Sequence, residues 1–316
     1  MKTKLFFGLL ILVSFITSSC DKVENIYSPA VITALDTTLY DGTWSEYLEN
    51  EWPDFATLTA SSMRNAIIED YTGHNCSNCP SAASIAHALH EANPERVFIA
   101  SVHSGPLGMS NFQQVTSQYN VDFTNSNSLE LGTFFGNLPG SGFLGNPSGT
   151  ANRLIASTIF YPSAGWGPKS SEVLASTLKV AIKSKLNYFA STKGAFIHTE
   201  VELLDASISN ELAMTVYLLQ DSMVAPQNVS SIFTPNYVHR DIHRKNISGQ
   251  TFGRTLNASV LNENGRYYLD YSFVVPNQLA PAGGSGTFDA SNMHVLIYVF
   301  DKVTYEIYQV VKEKFI

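Results

Sequence analysis

Only three cysteines occur in the 316 residues. That is too few for the disulfide framework that staples small secreted domains, so stability has to come from a hydrophobic core. With 44% hydrophobic residues the chain can build one. Charge is sparse, at 15% Asp, Glu, Lys and Arg, and together these values exclude disorder over most of the length. Positive charge is in deficit, with a net charge of −8, so nucleic acid is not an expected partner: a binder would show a basic patch. After residue 16 no stretch reaches the roughly 18 apolar residues that a membrane-spanning helix needs. A P-loop, a dinucleotide glycine fingerprint, a serine-nucleophile elbow and a zinc-protease helix motif are also missing, and no cofactor is called for.

The first cysteine has a place that explains it. Lys2 and Lys4 precede an apolar run over residues 5–16, which has signal-peptide length. Small residues, Thr17-Ser18-Ser19, then lead directly to Cys20. This is similar to a bacterial lipobox, although Thr17 stands where an aliphatic residue is usual. Residues 1–19 are therefore expected to be removed and Cys20 lipidated, which anchors the chain to a membrane rather than through it. Residues 20–60 read as a tether and irregular segment, with Trp44, Tyr47, Trp52 and Phe55 packing its later part on the body.

The other two cysteines stand in Tyr71-Thr72-Gly73-His74-Asn75-Cys76-Ser77-Asn78-Cys79-Pro80. The apolar run at 65–70 predicts a strand, and 80–92 predicts a helix ended by Asn93-Pro94. A strand, a turn and Cys-x-x-Cys opening a helix is the sequence form of a thioredoxin-like redox site. Thiolate is the reactive species, and a helix N-terminus stabilises it. Cys76 is expected to be the exposed attacking thiolate and Cys79 the resolving thiol of a Cys76–Cys79 disulfide. A static disulfide, or half of a metal site, are the alternatives. Asp70, six residues before Cys76, would take the proton of Cys79 if buried; strand alternation allows only one of Glu69 and Asp70 to face inward. His74, as imidazolium, would lower the thiol pKa.

A second strand at 96–103 completes a parallel strand–helix–strand unit. Residues 104–150 are loop-rich, with a helix expected near 112–119 and a short strand at 148–153. Pro147 is the candidate for the cis-proline that thioredoxin-like folds place opposite the cysteines, with Pro139 as the alternative. Apolar spacing at Val173, Leu174, Leu178, Ala181 and Ile182 predicts a helix over 170–186 that closes a thioredoxin-like domain, 61–190. Beyond it, strand-like runs at 195–203, 212–219, 266–275, 293–300 and 305–311 alternate with turn signals. They predict an all-β antiparallel, immunoglobulin-like sandwich over 191–316.

Histidines offer weaker candidates. Zinc would need two of His74, His87, His90 and His103 beside the cysteines, with no recognisable ligand spacing, so no metal is expected. His239 and His243 form a ligand pair only on a helix, and a strand edge is the better reading. Asp36-Thr37-Thr38 and Asp221-Ser222-Met223 fit a loose O-glycosylation pattern of exported proteins.

Taken together, Cys20, Glu69-Asp70-Tyr71-Thr72-Gly73 with Cys76-Ser77-Asn78-Cys79-Pro80, Ser101-Val102-His103-Ser104-Gly105 and Asn146-Pro147-Ser148-Gly149-Thr150-Ala151-Asn152-Arg153 resemble the Omp twenty-eight family, outer-membrane lipoproteins of Bacteroidota. The resemblance runs from about residue 60 to the C-terminus. It implies an outer-membrane or cell-envelope protein with a thioredoxin-like domain, whose partners are envelope or surface proteins. Two functions follow as expectations. One is thiol–disulfide exchange on envelope proteins. The other is a surface adhesin, receptor or binding protein on a redox-silent scaffold.

Overall fold

A computed structural model describes residues 35–155, 157–257, 260–261, 265–275 and 290–316. The expected leader, its Cys20 anchor and the start of the tether lie outside the described residues. The remainder of the tether is structured. A short 3-10 turn, Thr37–Leu39, leads to helix α1 (Trp44–Asn50), which opens on a capping box between Thr43 and Glu46. Tyr47 is buried, and Trp44, Trp52 and Phe196 close round it. Its hydroxyl meets His198 Nε2 at 2.7 Å, and His198 Nδ1 meets Asp270 Oδ1 at 2.7 Å.

Strand β1 (Ala66–Thr72), helix α2 (Cys79–Ala92) and strand β2 (Val97–His103) form the expected unit, with β1 and β2 parallel. Helix α3 (Ser126–Asn137) follows, then β3 (Ser148–Ala151), antiparallel to β1 on its other side. The helix expected near 112–119 is absent; that segment turns, and the helix begins later, capped by Asn125. Two glycines weakened the helical pattern of α3, and both are there for close packing. A Cβ at Gly132 would collide with Ser104, and one at Gly136 with the Pro106 backbone.

Helix α4 (Trp166–Ala175) ends well before the expected 186. Residues 180–189 instead form β4 (Val180–Phe189), paired along its whole length with β5 (Gly194–Leu203). Val180 and Ile182 point into the core while Lys183 reaches across to Glu200 at 3.1 Å. The apolar spacing there suited either period, and the ten-residue ladder with β5 decides it.

The chain continues through β6 (Leu212–Gln220), the hairpin β7 (Met223–Val229) and β8 (Ile232–His239), β9 (Ile242–Asn246), β10 (Arg254–Thr255), β11 (Tyr267–Val274), β12 (Met293–Asp301) and β13 (Ile307–Lys314). The large sheet has the order β13-β12-β6-β9-β2-β1-β3, with β10 added on β6. A three-stranded sheet, β11-β5-β4, packs on the β6–β12 portion through Val180, Ile197, Val216, Leu269, Ile297 and Val299. The β-rich half therefore has two layers, but one of them continues the sheet of the α/β half. It is not a free-standing immunoglobulin-like sandwich. The fold is mixed α/β with one mixed sheet and antiparallel sheets.

The large sheet curls until its ends meet. Ile307 N–H donates to Asn152 O at 2.8 Å, and Asn65 Nδ2 donates to Val310 O at 3.0 Å. Inside the curl Arg153 grips Glu69 with Nε and Nη2, both at 2.7 Å. Tyr217 of β6 donates to Glu69 at 3.0 Å, and Tyr298 of β12 accepts from Arg153 at 3.0 Å. Burial alone would raise the Glu69 pKa, but the Arg153 charge and these hydrogen bonds hold it below the usual value. One buried pair thus ties both halves of the chain together.

Candidate functional site

The turn after β1 carries the cysteines. Cys76 N–H donates to Gly73 O at 3.1 Å, and Cys79 N–H to Cys76 O at 3.3 Å, with Cys79 as the first residue of α2 and Pro80 next to it. Proline suits the helix start because its missing N–H would have no partner there. Cys76 and Cys79 are joined by a disulfide. Asn146–Pro147 is a cis peptide immediately before β3, whose Ser148 pairs with Tyr71 of β1. The Asn146 side chain is held by Gln113 Nε2 (3.2 Å) and by its own bond to Ser104 O (2.8 Å).

Cys76 is not exposed. It is 2% accessible and Cys79 is 1%. The cover is the β7–β8 hairpin, from more than 140 residues further along the chain, as the Gln227–Cys76 separation of 151 shows. Asn228 N–H donates to His74 O at 2.8 Å and Ser230 N–H to Ser77 O at 2.9 Å. Gln227 Nε2 donates to Gly73 O and Cys76 O, both at 3.3 Å. From the other side Phe112 O accepts from Asn75 N–H at 3.0 Å.

Asp70 lies beneath the pair. It is buried, its Oδ1 has no hydrogen-bond partner among the described residues, and burial raises its pKa to about 7. Asp70 and Cys79 line one cavity of about 30 Å³, together with Ser101, His103, Tyr237 and His239. That is room for a single ordered water. His103 and His239 are neutral near pH 7, since burial lowers His103 well below its ordinary value and His239 to about 4. Glu69, expected outside if Asp70 is inside, is buried as well. β1 is an interior strand covered on both faces, so alternation sends its side chains to two cores rather than to core and solvent.

The surroundings of His74 disfavour the imidazolium form. The ring is buried against Tyr119 and Phe123, its Nε2 meets Gln114 O at 3.0 Å, and burial lowers its pKa. His90 Nδ1 is taken by Val97 O at 2.5 Å. His239 and His243 sit on different strands, separated by the turn at Asp241, and His243 bonds Asn246 Oδ1 at 2.7 Å. Among the described residues no group of three or more His, Cys, Asp or Glu could hold a metal ion. Sequence reasoning missed Gln227, Asn228, Tyr237 and Arg153. Only Arg153 had a signal, as the end of the Asn146–Arg153 motif.

The fold and the site together define a mixed α/β protein with a buried disulfide at a helix start. No family model and no curated protein matches the chain. Among solved structures it is similar to HBP35 of Porphyromonas gingivalis, with a TM-score of 0.59 and 18% identity, over 81% of this chain and 77% of that one. It also aligns with a domain of the outer membrane lipoprotein Omp28 from the same organism (TM-score 0.30, 19% identity, 43% of this chain and 88% of that one). A protein of Agrobacterium tumefaciens aligns at TM-score 0.45 and 13% identity, over 80% of this chain and 95% of that one. At these identities the HBP35 likeness speaks for the fold alone. No helix among the described residues is long and apolar enough to cross a membrane.

Proposed function

We propose that the chain is a cell-envelope lipoprotein of the Omp twenty-eight-related kind, anchored through Cys20. In this reading a thioredoxin-like domain exchanges thiols and disulfides with envelope proteins. The β-rich part, which by pairing begins at β4, supplies partner binding or placement as a sandwich-like module. The observation that carries the reading is the shared cavity of Cys79 and Asp70, with the carboxyl titrating near neutrality. A group of that pKa can give and take a proton at working pH. The cis Asn146–Pro147 bond before β3 accords with a thioredoxin-like domain.

The steps start from the disulfide. A partner thiolate attacks Cys76 Sγ, the Cys76–Cys79 bond breaks, and its electron pair leaves on Cys79, which takes a proton from Asp70. A second partner thiolate attacks the partner's own sulfur in the mixed disulfide and releases Cys76, which is protonated from solvent. The partner is oxidised by two electrons to a disulfide and this chain is reduced to two thiols; the reverse direction retraces the steps. Both sulfurs are covered, so the β7–β8 hairpin has to move aside first.

The same cover favours a second reading. A disulfide this buried suits a binding or adhesion protein that keeps a redox-silent scaffold. The purified full-length protein, added to insulin and dithiothreitol, separates them. Acceleration of insulin reduction that disappears in Cys76→Ser supports exchange; no acceleration by the wild type leaves the scaffold.

A further inference from the structure

The cavity beneath Cys79 has a back door. His87 on α2, with Tyr237 and Arg240 from the end of the covering hairpin, lines the cavity of about 30 Å³ that holds Asp70. The same three residues line a second, open groove of about 540 Å³ on the outer side. The His87 side chain is 25% exposed, whereas Asp70 is 1% exposed. On the front the hairpin seals both sulfurs. Solvent therefore reaches the wall of the Asp70 cavity from the groove, and His87 is the histidine that lines both the cavity and the groove.

We propose that His87 is a positioning and proton-relay residue for the Cys76–Cys79 pair, connecting Asp70 to solvent through the groove behind the site. This rests on the exchange reading above. When Cys79 leaves as thiolate it takes the proton of Asp70. His87 then takes a proton from groove water on one ring nitrogen and gives one up from the other toward the cavity water. Asp70 is reprotonated and the ring returns to its neutral form. One proton enters for each one delivered to Cys79, and no electrons pass through the relay.

The surroundings keep the ring neutral and responsive. Burial lowers the His87 pKa, and Arg240 lowers it further. His90 on the same helix acts the same way, while Asp221 from the β6–β7 turn and Glu91 oppose them. Asp241, in the β8–β9 turn, places Oδ2 4.0 Å from His87 Nδ1 and Oδ1 3.4 Å from His294 Nε2. Lys312 of β13 also lines the groove. Burial raises the Asp241 pKa to about 6, so the group beside the ring is a carboxylate at neutral pH and becomes protonated toward pH 5. At neutral pH an uncharged imidazole with that carboxylate behind it is suited to passing a proton without retaining it.

The test follows reduction of Cys76–Cys79 in the full-length protein by reduced glutathione, between about pH 5 and 8. His87→Ala and the better-packed His87→Gln are both expected to slow reduction at neutral pH by about tenfold or more. They should also change the pH profile, and added imidazole should restore the His87→Ala rate through the open groove. Ser84→Ala, in the groove but outside the cavity lining, is expected to behave as wild type. A wild-type rate and pH profile in both His87 variants overturns the relay and leaves exchange standing, as does a loss that imidazole does not restore. A wild type that glutathione does not reduce overturns the relay and the exchange reading together.

Discussion

Glu69 and Asp70 are consecutive in β1 and project to opposite faces of the sheet, yet both are buried, at 0% and 1% exposure. Their surroundings push their pKa values in opposite directions. Glu69 is ionised between Arg153, Tyr217 and Thr150. Asp70 faces the cysteine helix with one oxygen unpartnered and is poised near neutrality. One strand thus carries a structural carboxylate and a titrating one side by side.

The structural carboxylate should show itself in stability. Arg153→Met leaves Glu69 as an uncompensated buried charge, and a loss of about 3–5 kcal/mol is expected in urea unfolding. The double variant Glu69→Leu with Arg153→Met should lose less than the sum of the two singles, because each single strands its partner. Additive losses would mean that the pair does not act as a unit.

The titrating carboxylate should show itself in pH dependence. Its folded pKa, about 7, stands above the ordinary value of 3.8. Asp70 therefore contributes stability that is fully present below about pH 4 and is lost as pH rises through about 7, on the order of 4 kcal/mol in all. The buried neutral histidines His103, His239 and His243 act the other way, since their lowered pKa values give stability that is lost as pH falls. The difference between wild type and Asp70→Asn isolates the carboxyl. Asp70→Asn should gain relative stability from pH 4 to 8, and a pH-independent difference would refute the assignment.

The hairpin cover predicts a local opening. Gln227→Ala removes the side-chain bonds to Gly73 O and Cys76 O, each worth about 1 kcal/mol. Amide exchange at Asn228 and Ser230 should speed up about thirtyfold, and the global unfolding free energy should fall by about the same 2 kcal/mol, since the bonds are lost in the opened and the unfolded states alike. Reduction by dithiothreitol should accelerate in parallel. Unchanged exchange at both amides would mean that Gln227 does not hold the cover.

At the other end of the chain, Tyr47 joins the N-terminal segment to the three-stranded sheet. Tyr47→Phe leaves His198 Nε2 without that partner and should cost about 1–3 kcal/mol. Limited proteolysis is expected to cut between residues 36 and 55 in the variant sooner than in wild type. Equal cutting would place the anchoring in the aromatic cluster of Trp44, Trp52 and Phe196 instead.

The strand–turn–helix around Cys76 was legible because its signals are local: apolar β1, Pro80 at the helix start, and Asn93-Pro94 at its end. Residues 176–186 misled because Val180 and Ile182 suit a helix or a strand, and only pairing with β5 distinguishes them. α3 was hidden by Gly132 and Gly136, whose reason is the packing of residues 104–106. The burial of Cys76 could not be read at all. It depends on contacts between residues 73–77 and 227–230, which no local pattern encodes. The same holds for the shared sheet: Ser101 pairs with Ile242 across the expected domain boundary at 190.

The central claim, that Cys76 and Cys79 turn over, is tested most directly by their reduction potential. The purified full-length protein is equilibrated with glutathione buffers and its free thiols are trapped. Exchange predicts a potential within the range of known exchange proteins, roughly −120 to −270 mV. A value well below about −300 mV, the range of structural disulfides, would contradict it and leave a binding protein built around a permanent bond.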